Sequence, residues 1–213
     1  MRAPYPDCDA IVARDGVEIR YERYGQGRLA ILLLPAWSLV HSRYWKMQIP
    51  YLARHFTVVC FDGRGSGGSD RPADASAYSD AVFASDALAV MDAAGIGSAV
   101  LVSVFAEPHS TKQIEDATGW ALETDGETLT AADRGIERCD AAATRRLAAR
   151  LACPVLVIHG TDDAVRGYDE GVALAECTGG ARVSLAGAGH FPQARDPVRV
   201  NLLIKQFADR IRQ

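Results

Sequence analysis

The sequence contains no run of about 18 consecutive apolar residues, so no membrane-spanning helix is expected. The segment Met1 to Asp7 (MRAPYPD) lacks the apolar core of a secretory signal, and the expected location is cytoplasmic. Cysteine is sparse and odd in number. Cys8, Cys60, Cys139, Cys153 and Cys177 are far apart and form no C-x-x-C pair, which argues against a disulfide framework or a zinc knuckle. His41, His55, His109 and His159 show no metal-ligand spacing, and no metal or other cofactor is expected. Positive charge is in slight deficit, with 23 Lys and Arg against 27 Asp and Glu and a formal net charge of -4. No global positive field is available to gather phosphate, so a nucleic-acid partner is not expected beyond what a local basic patch would hold.

The remaining composition is that of a globular protein: 213 residues, 48% apolar and 23% charged, enough for one domain. Short runs rich in Val, Ile and Leu recur at 17–24, 29–34, 56–61, 99–104, 154–159 and 181–185, and each reads as a strand. Several are continuous rather than alternating, the pattern of strands buried on both faces in a mostly parallel sheet. The first alternates and is expected at an antiparallel edge.

Helical signals lie between the strands. From Ser79 to Ala94, Phe83, Ala87, Val90 and Ala94 recur at spacings of three and four, with Ser79 or Asp80 as cap and Gly95 as stop. Tyr168 to Cys177 ends at Gly179-Gly180. Near the carboxyl end, Asp196 caps and Pro197 starts a helix whose apolar stripe is Val200, Leu203, Ile204, Phe207 and Ile211. Alternating strands and helices define an α/β class with a mostly parallel sheet flanked by helices. The stretch 105–152 is polar, Ala-rich and helical in pattern, with breaks near Gly119, Asp125-Gly126 and Gly135. It is expected to be a cap-like helical insertion within a single domain spanning 1–213.

Two segments carry chemical signals. Gly63 to Gly68 (GRGSGG) formally satisfies the dinucleotide-binding pattern G-x-G-x-x-G. A dinucleotide site, however, needs a helix directly after the turn, and Ser69 to Pro72 intervenes, so a glycine-permitted tight turn is the better reading. The second signal is the pair Asp163 and His190, each just beyond a strand, in Ile158 to Asp163 (IHGTDD) and Gly187 to His190 (GAGH). At the carboxyl edge of a parallel sheet, Asp163 can accept the Nδ1 hydrogen of His190 and leave Nε2 as a general base. His159, at a strand end, reads as a core residue, and Asp162 as a solvated neighbour.

Leu32 to Trp37 (LLLPAW), Phe61 to Pro72 (FDGRGSGGSDRP), IHGTDD and GAGH occur in one order along the chain, and together they resemble the esterase and lipase-like branch of the α/β-hydrolase superfamily. The resemblance implies that Trp37, with Ala36 beside it, supplies an oxyanion-hole amide, and that Arg64 is an ion-pair partner rather than a catalyst. Trp37, Tyr44 and Trp45 read either as an acyl pocket or as ordinary packing.

One departure governs the functional expectation. The family places its nucleophile in G-x-S-x-G after the fifth strand, but here Ser103 to Glu107 (SVFAE) follows Gly97 to Val102 (GSAVLV). Phe105 therefore stands where the attacking oxygen should be. An internal deletion that removes the nucleophile elbow and part of the cap accounts for the shortened interval before the acid-bearing strand. Substitute nucleophiles are Ser103, Ser110 and Glu107. The expected function is that of a carboxylic-ester hydrolase relative, weakly active or inactive. The alternative is a non-catalytic binding or interaction module that takes a small acyl ester or carboxylic acid. Loss of a core strand would leave an open sheet edge, which predicts a homodimer or marginal stability.

Overall fold

The computed structural model describes residues 4–35, 41–103, 125–136, 145–146, 148–164 and 167–211. The chain divides into two compact units, Met1–Val104 with Thr111–Arg138, and Phe105–Ser110 with Cys139–Gln213. Most of the expected insertion at 105–152 lies outside the described residues.

The first unit is built on five strands: β1 (Cys8–Arg14), β2 (Val17–Tyr24), β3 (Ala30–Leu33), β4 (Thr57–Phe61) and β5 (Ala99–Val102), in the order β1-β2-β4-β3-β5. β1 and β2 form a hairpin closed by Asp15-Gly16, with φ of +50° and +76°. Positive φ at both central residues is the geometry that suits a two-residue hairpin, and Asp-Gly tolerates it. The edge strand is therefore β1, and the expectation that the 17–24 run forms the edge is corrected: β2 is antiparallel to β1 on one side and to β4 on the other. The centre is parallel, with Leu32 opposite Val59 on one side and Leu101 on the other. Every residue of β3 and β4 is buried, which explains their unbroken apolar runs.

Helix α1 (Ile49–Leu52) is a single turn, and α2 (Asp80–Ala93) is the main helix of this unit. The Ser79 hydroxyl accepts a hydrogen bond from the Val82 amide at the start of α2, and Gly95 follows its end at φ +70°. Val90, Ala87 and Ala94 face a core of Ile19, Tyr21, Leu32, Val59 and Phe61. Each large apolar side chain buried there contributes about 1.5–3 kcal/mol. A second cluster joins Tyr78, in the short 3-10 helix Ala75–Tyr78, to Ala131 and Ala132 of α3 (Gly126–Ile136). Asp125-Gly126, expected as a break, is the start of that helix: the Asp125 carboxylate accepts from the Thr128 amide at 2.7 Å and from its hydroxyl at 2.8 Å. Gly135 lies in the last turn of α3, one residue before Ile136. A methyl group there would come within 2.6 Å of the Tyr78 Cβ.

The second unit contains the parallel pair β6 (Leu156–Gly160) and β7 (Ala181–Leu185), connected through α4 (Tyr168–Thr178). α4 ends in a left-handed Gly179, with hydrogen bonds from Gly180 N to Ala175 O and from Gly179 N to Glu176 O. These bonds satisfy carbonyls that the helix end would otherwise leave open. α5 (Pro192–Arg195) leads into α6 (Pro197–Ile211), whose start is capped by Asp196 accepting from Arg199 N. The buried face of α6 is Val200, Asn201, Ile204 and Ala208, whereas Ile211, at the end of the expected stripe, is exposed.

Candidate functional site

The carboxyl ends of β6 and β7 are fastened together by their own backbones. Thr161 N donates to Leu185 O, Asp162 N donates to Ala188 O, and Gly187 N donates to the Thr161 hydroxyl, at 2.9–3.0 Å. Gly187 adopts φ +68°, a conformation costly for any residue with a Cβ. These bonds bring the two loops that carry the predicted acid and base to one place.

There His190 Nδ1 lies 2.6 Å from Asp163 Oδ2, and each side chain is only 3% exposed. An ionised carboxylate only accepts, so the hydrogen resides on Nδ1 and the basic lone pair of a neutral His190 is on Nε2. The structure thus brings together the two residues singled out in the sequence. It adds a third: His159 Nε2 lies 3.0 Å from the same Asp163 Oδ2. The His159 ring packs edge-on to Tyr168, with centroids 5.8 Å apart. Tyr168 in turn meets the Ser184 hydroxyl and Arg182 on β7. His159 is indeed a buried strand-end residue, but its contact with the acid is not evident from the sequence. The only signal is its spacing of four residues from Asp163 across a glycine.

In the first unit, the glycine-rich turn is organised around a buried anion of the protein itself. The Asp62 carboxylate accepts from Ser42 N at 2.7 Å and from Gly68 N at 2.9 Å, and Arg20 approaches it at 3.6 Å. Gly67, at φ +53°, lies so close that a Cβ would sit 2.2 Å from Asp62 Oδ2. The amides of Gly65, Ser66 and Ser69 donate to carbonyls of the same turn. The amides that would cradle a phosphate are thus engaged internally, in keeping with a structural turn. Arg64 is buried and forms a fork with Asp86 of α2, Nε to Oδ2 at 2.5 Å and Nη2 to Oδ1 at 2.8 Å. These bonds raise the Arg64 pKa above the ordinary guanidinium value. Arg14 joins the same carboxylate at 3.2 Å.

Trp45 is buried and donates its indole N–H to the Leu34 carbonyl, with Tyr44 packed edge-on at 4.8 Å. Ser103 is exposed just beyond β5. Ala36, Trp37, Phe105, Glu107 and Ser110 lie outside the described residues. Among the described residues, no group of three or more His, Cys, Asp or Glu is placed to hold a metal ion, and no helix is long and apolar enough to cross a membrane.

A parallel core extended by an antiparallel hairpin, with an acid and a histidine in the loops after successive strands, defines the class: the chain is an α/β-hydrolase-fold protein. The family model described as alpha/beta hydrolase fold matches residues 30–103. The fold is similar to the enol-lactonase from Burkholderia xenovorans, at TM-score 0.78 and 19% identity, covering 93% of this chain and 99% of that one. It is also similar to a thermophilic esterase from Thermogutta terrifontis, at TM-score 0.78 and 22% identity over 97% and 100% of the two chains. A bromoperoxidase from Bacillus anthracis matches at TM-score 0.80 and 16% identity over 95% and 100%.

Proposed function

We propose that the chain is a relative of carboxylic-ester hydrolases that keeps the acid and base of the catalytic apparatus, Asp163 and His190, without the serine they would activate. The observation that carries the relationship is the buried His190–Asp163 contact of 2.6 Å. It is the arrangement that holds an imidazole in the tautomer needed for general-base work and stabilises the imidazolium that follows. The esterase and lactonase names among the similar folds favour acyl esters as the ancestral substrate class.

Acyl transfer also needs a hydroxyl or thiol within hydrogen-bond reach of His190 Nε2, beside donors for the oxyanion. The residue at the family's nucleophile position is Phe105, which has no nucleophilic atom. Turnover of esters is then weak, limited to what binding, the proposed oxyanion amides at Ala36 and Trp37, and a water activated by His190 achieve. In enzymes stripped of a triad this residue of catalysis is still roughly 10³ over water. An internal deletion accounts for the missing turn. The short interval in sequence between β5 and the acid-bearing β6 supports that reading. A cytoplasmic location is part of the same proposal.

The test is incubation with a fluorophosphonate probe followed by mass analysis. The expected result is no stoichiometric adduct. Labelling at Ser103 or Ser110 that disappears in His190→Ala would overturn the claim of a missing nucleophile.

A further inference from the structure

We infer that His159 is a positioning residue for the acid–base pair: it donates a second hydrogen bond to the Asp163 oxygen that His190 binds and so helps to keep His190 in a single tautomer. This rests on the reading of Asp163 and His190 given above, but its test needs no turnover.

The argument starts from lone pairs. Oδ2 of Asp163 receives two ring nitrogens, His190 Nδ1 at 2.6 Å and His159 Nε2 at 3.0 Å. An ionised carboxylate has no hydrogen to give, so each nitrogen must carry one, and both imidazoles donate to the same atom. That assigns the hydrogen of a neutral His159 to Nε2 and that of a neutral His190 to Nδ1, opposite tautomers imposed by one oxygen.

The His159 ring is itself fixed. A Cβ on Gly171 of α4 would come within 2.1 Å of its Nδ1, so the helix backbone lies directly against that edge of the ring. Tyr168 closes another side. The ring is 10% exposed and Asp163 only 3%, so water has little access with which to replace the bond. Among the described residues, ionisable groups whose contacts lead to Asp163 come from three elements. They are His159 and Asp162 on β6 and its loop, Tyr168 on α4 with Arg182 of β7 behind it, and His190 on the loop after β7. Of these, the two histidines reach the carboxylate oxygen directly. With His159 removed, the carboxylate loses one of the bonds that orient it about χ2, a soft two-fold torsion. The hydrogen bond that selects the His190 tautomer would then be made only part of the time.

The experiment is 15N–1H NMR of the histidine rings in the full chain, for the wild type, His159→Phe and His159→Gln. Phe keeps a ring of similar size and removes the donor, whereas the Gln amide N–H restores a donor on a side chain of comparable reach. In the wild type His190 should show one Nδ1–H tautomer with a slowly exchanging ring proton. His159→Phe should turn this into an average of two tautomers and speed exchange of the Nδ1 proton by about tenfold, as expected for loss of an anchoring charge-assisted bond. His159→Gln should return both towards wild type. Identical His190 spectra in all three proteins would overturn the inference and leave the acid–base pair standing. A wild-type His190 without an Nδ1–H signal would instead remove the pair itself. If His159→Phe fails to fold, the wild type and Gln variant still decide: a wild-type His159 in the Nδ1–H tautomer is incompatible with the assignment.

Discussion

Gly160 and Ala188 touch backbone to backbone: a Cβ on Gly160 would stand 2.1 Å from the Ala188 carbonyl oxygen. This contact, with the Asp162 N to Ala188 O bond beside it, sets the spacing between the acid loop and the histidine loop. Gly160→Ala should push the loops apart. The expected cost is about 1–3 kcal/mol of stability, as for other overpacked sites, together with loss of the His190 Nδ1 proton signal. Urea unfolding and the ring NMR spectrum measure the two; an unchanged pair of results would show that the contact does not set the spacing.

The buried Arg64–Asp86 fork should behave as a unit. Asp86→Ala leaves the Arg64 charge buried without its partner, and breaking such a pair costs about 3–5 kcal/mol. The double variant Arg64→Met with Asp86→Leu should recover much of that loss. A double variant no better than Asp86→Ala, compared by thermal unfolding, would mean that the fork does more than satisfy its own two charges.

Tyr78 gives a pH prediction. Burial pushes its phenol up to about 12, above the ordinary value near 10. A phenol that holds its proton more tightly when folded stabilises the fold fully below the unfolded value and loses that contribution as pH rises through the folded one. Stability should therefore fall between about 10 and 12. Tyr78→Phe should make this decline shallower, the raised phenols of Tyr21 and Tyr24 remaining, and at neutral pH it should cost about 0.5–1.5 kcal/mol through the lost bond to the Pro72 carbonyl. Denaturant midpoints across that range, with the same slope in both proteins, would contradict it.

Ligand retention is testable by thermal shift. If the acid–base site keeps a pocket, a small acyl ester or carboxylic acid at a hundred times its Kd should add about 2.7 kcal/mol to stability. No stabilisation by any member of a panel of short acyl esters and acids would argue against a binding role.

An unpaired β5 edge would predict self-association. Among the described residues β5 pairs only with β3, and Leu101 on it is 59% exposed. Sedimentation should show a concentration-dependent dimer. A monodisperse monomer at every concentration would indicate that the edge is otherwise protected.

The parts most legible in the sequence are those where one physical demand acts alone. β3 and β4 are buried on both faces, so their apolar runs are continuous and announce strands directly. Asp163 and His190 each follow directly on a strand of one parallel pair, which is why they can be paired before any coordinates are seen. β1 is harder. Its residues alternate between half-buried and exposed in a weakly apolar run, and only the Asp15-Gly16 turn betrays a hairpin, whose presence also moves β2 away from the edge. Asp86 as the partner of Arg64, and His159 as a second donor to Asp163, depend on tertiary placement or on a bend after a strand, which periodicity does not encode.

The Asp62 turn carries its own counter-ion, so its shape does not wait on any visitor from solution. Neutralising that residue, as in Asp62→Ala, would uncover the Ser42 and Gly68 amides and leave a small hollow suited to a formate or chloride.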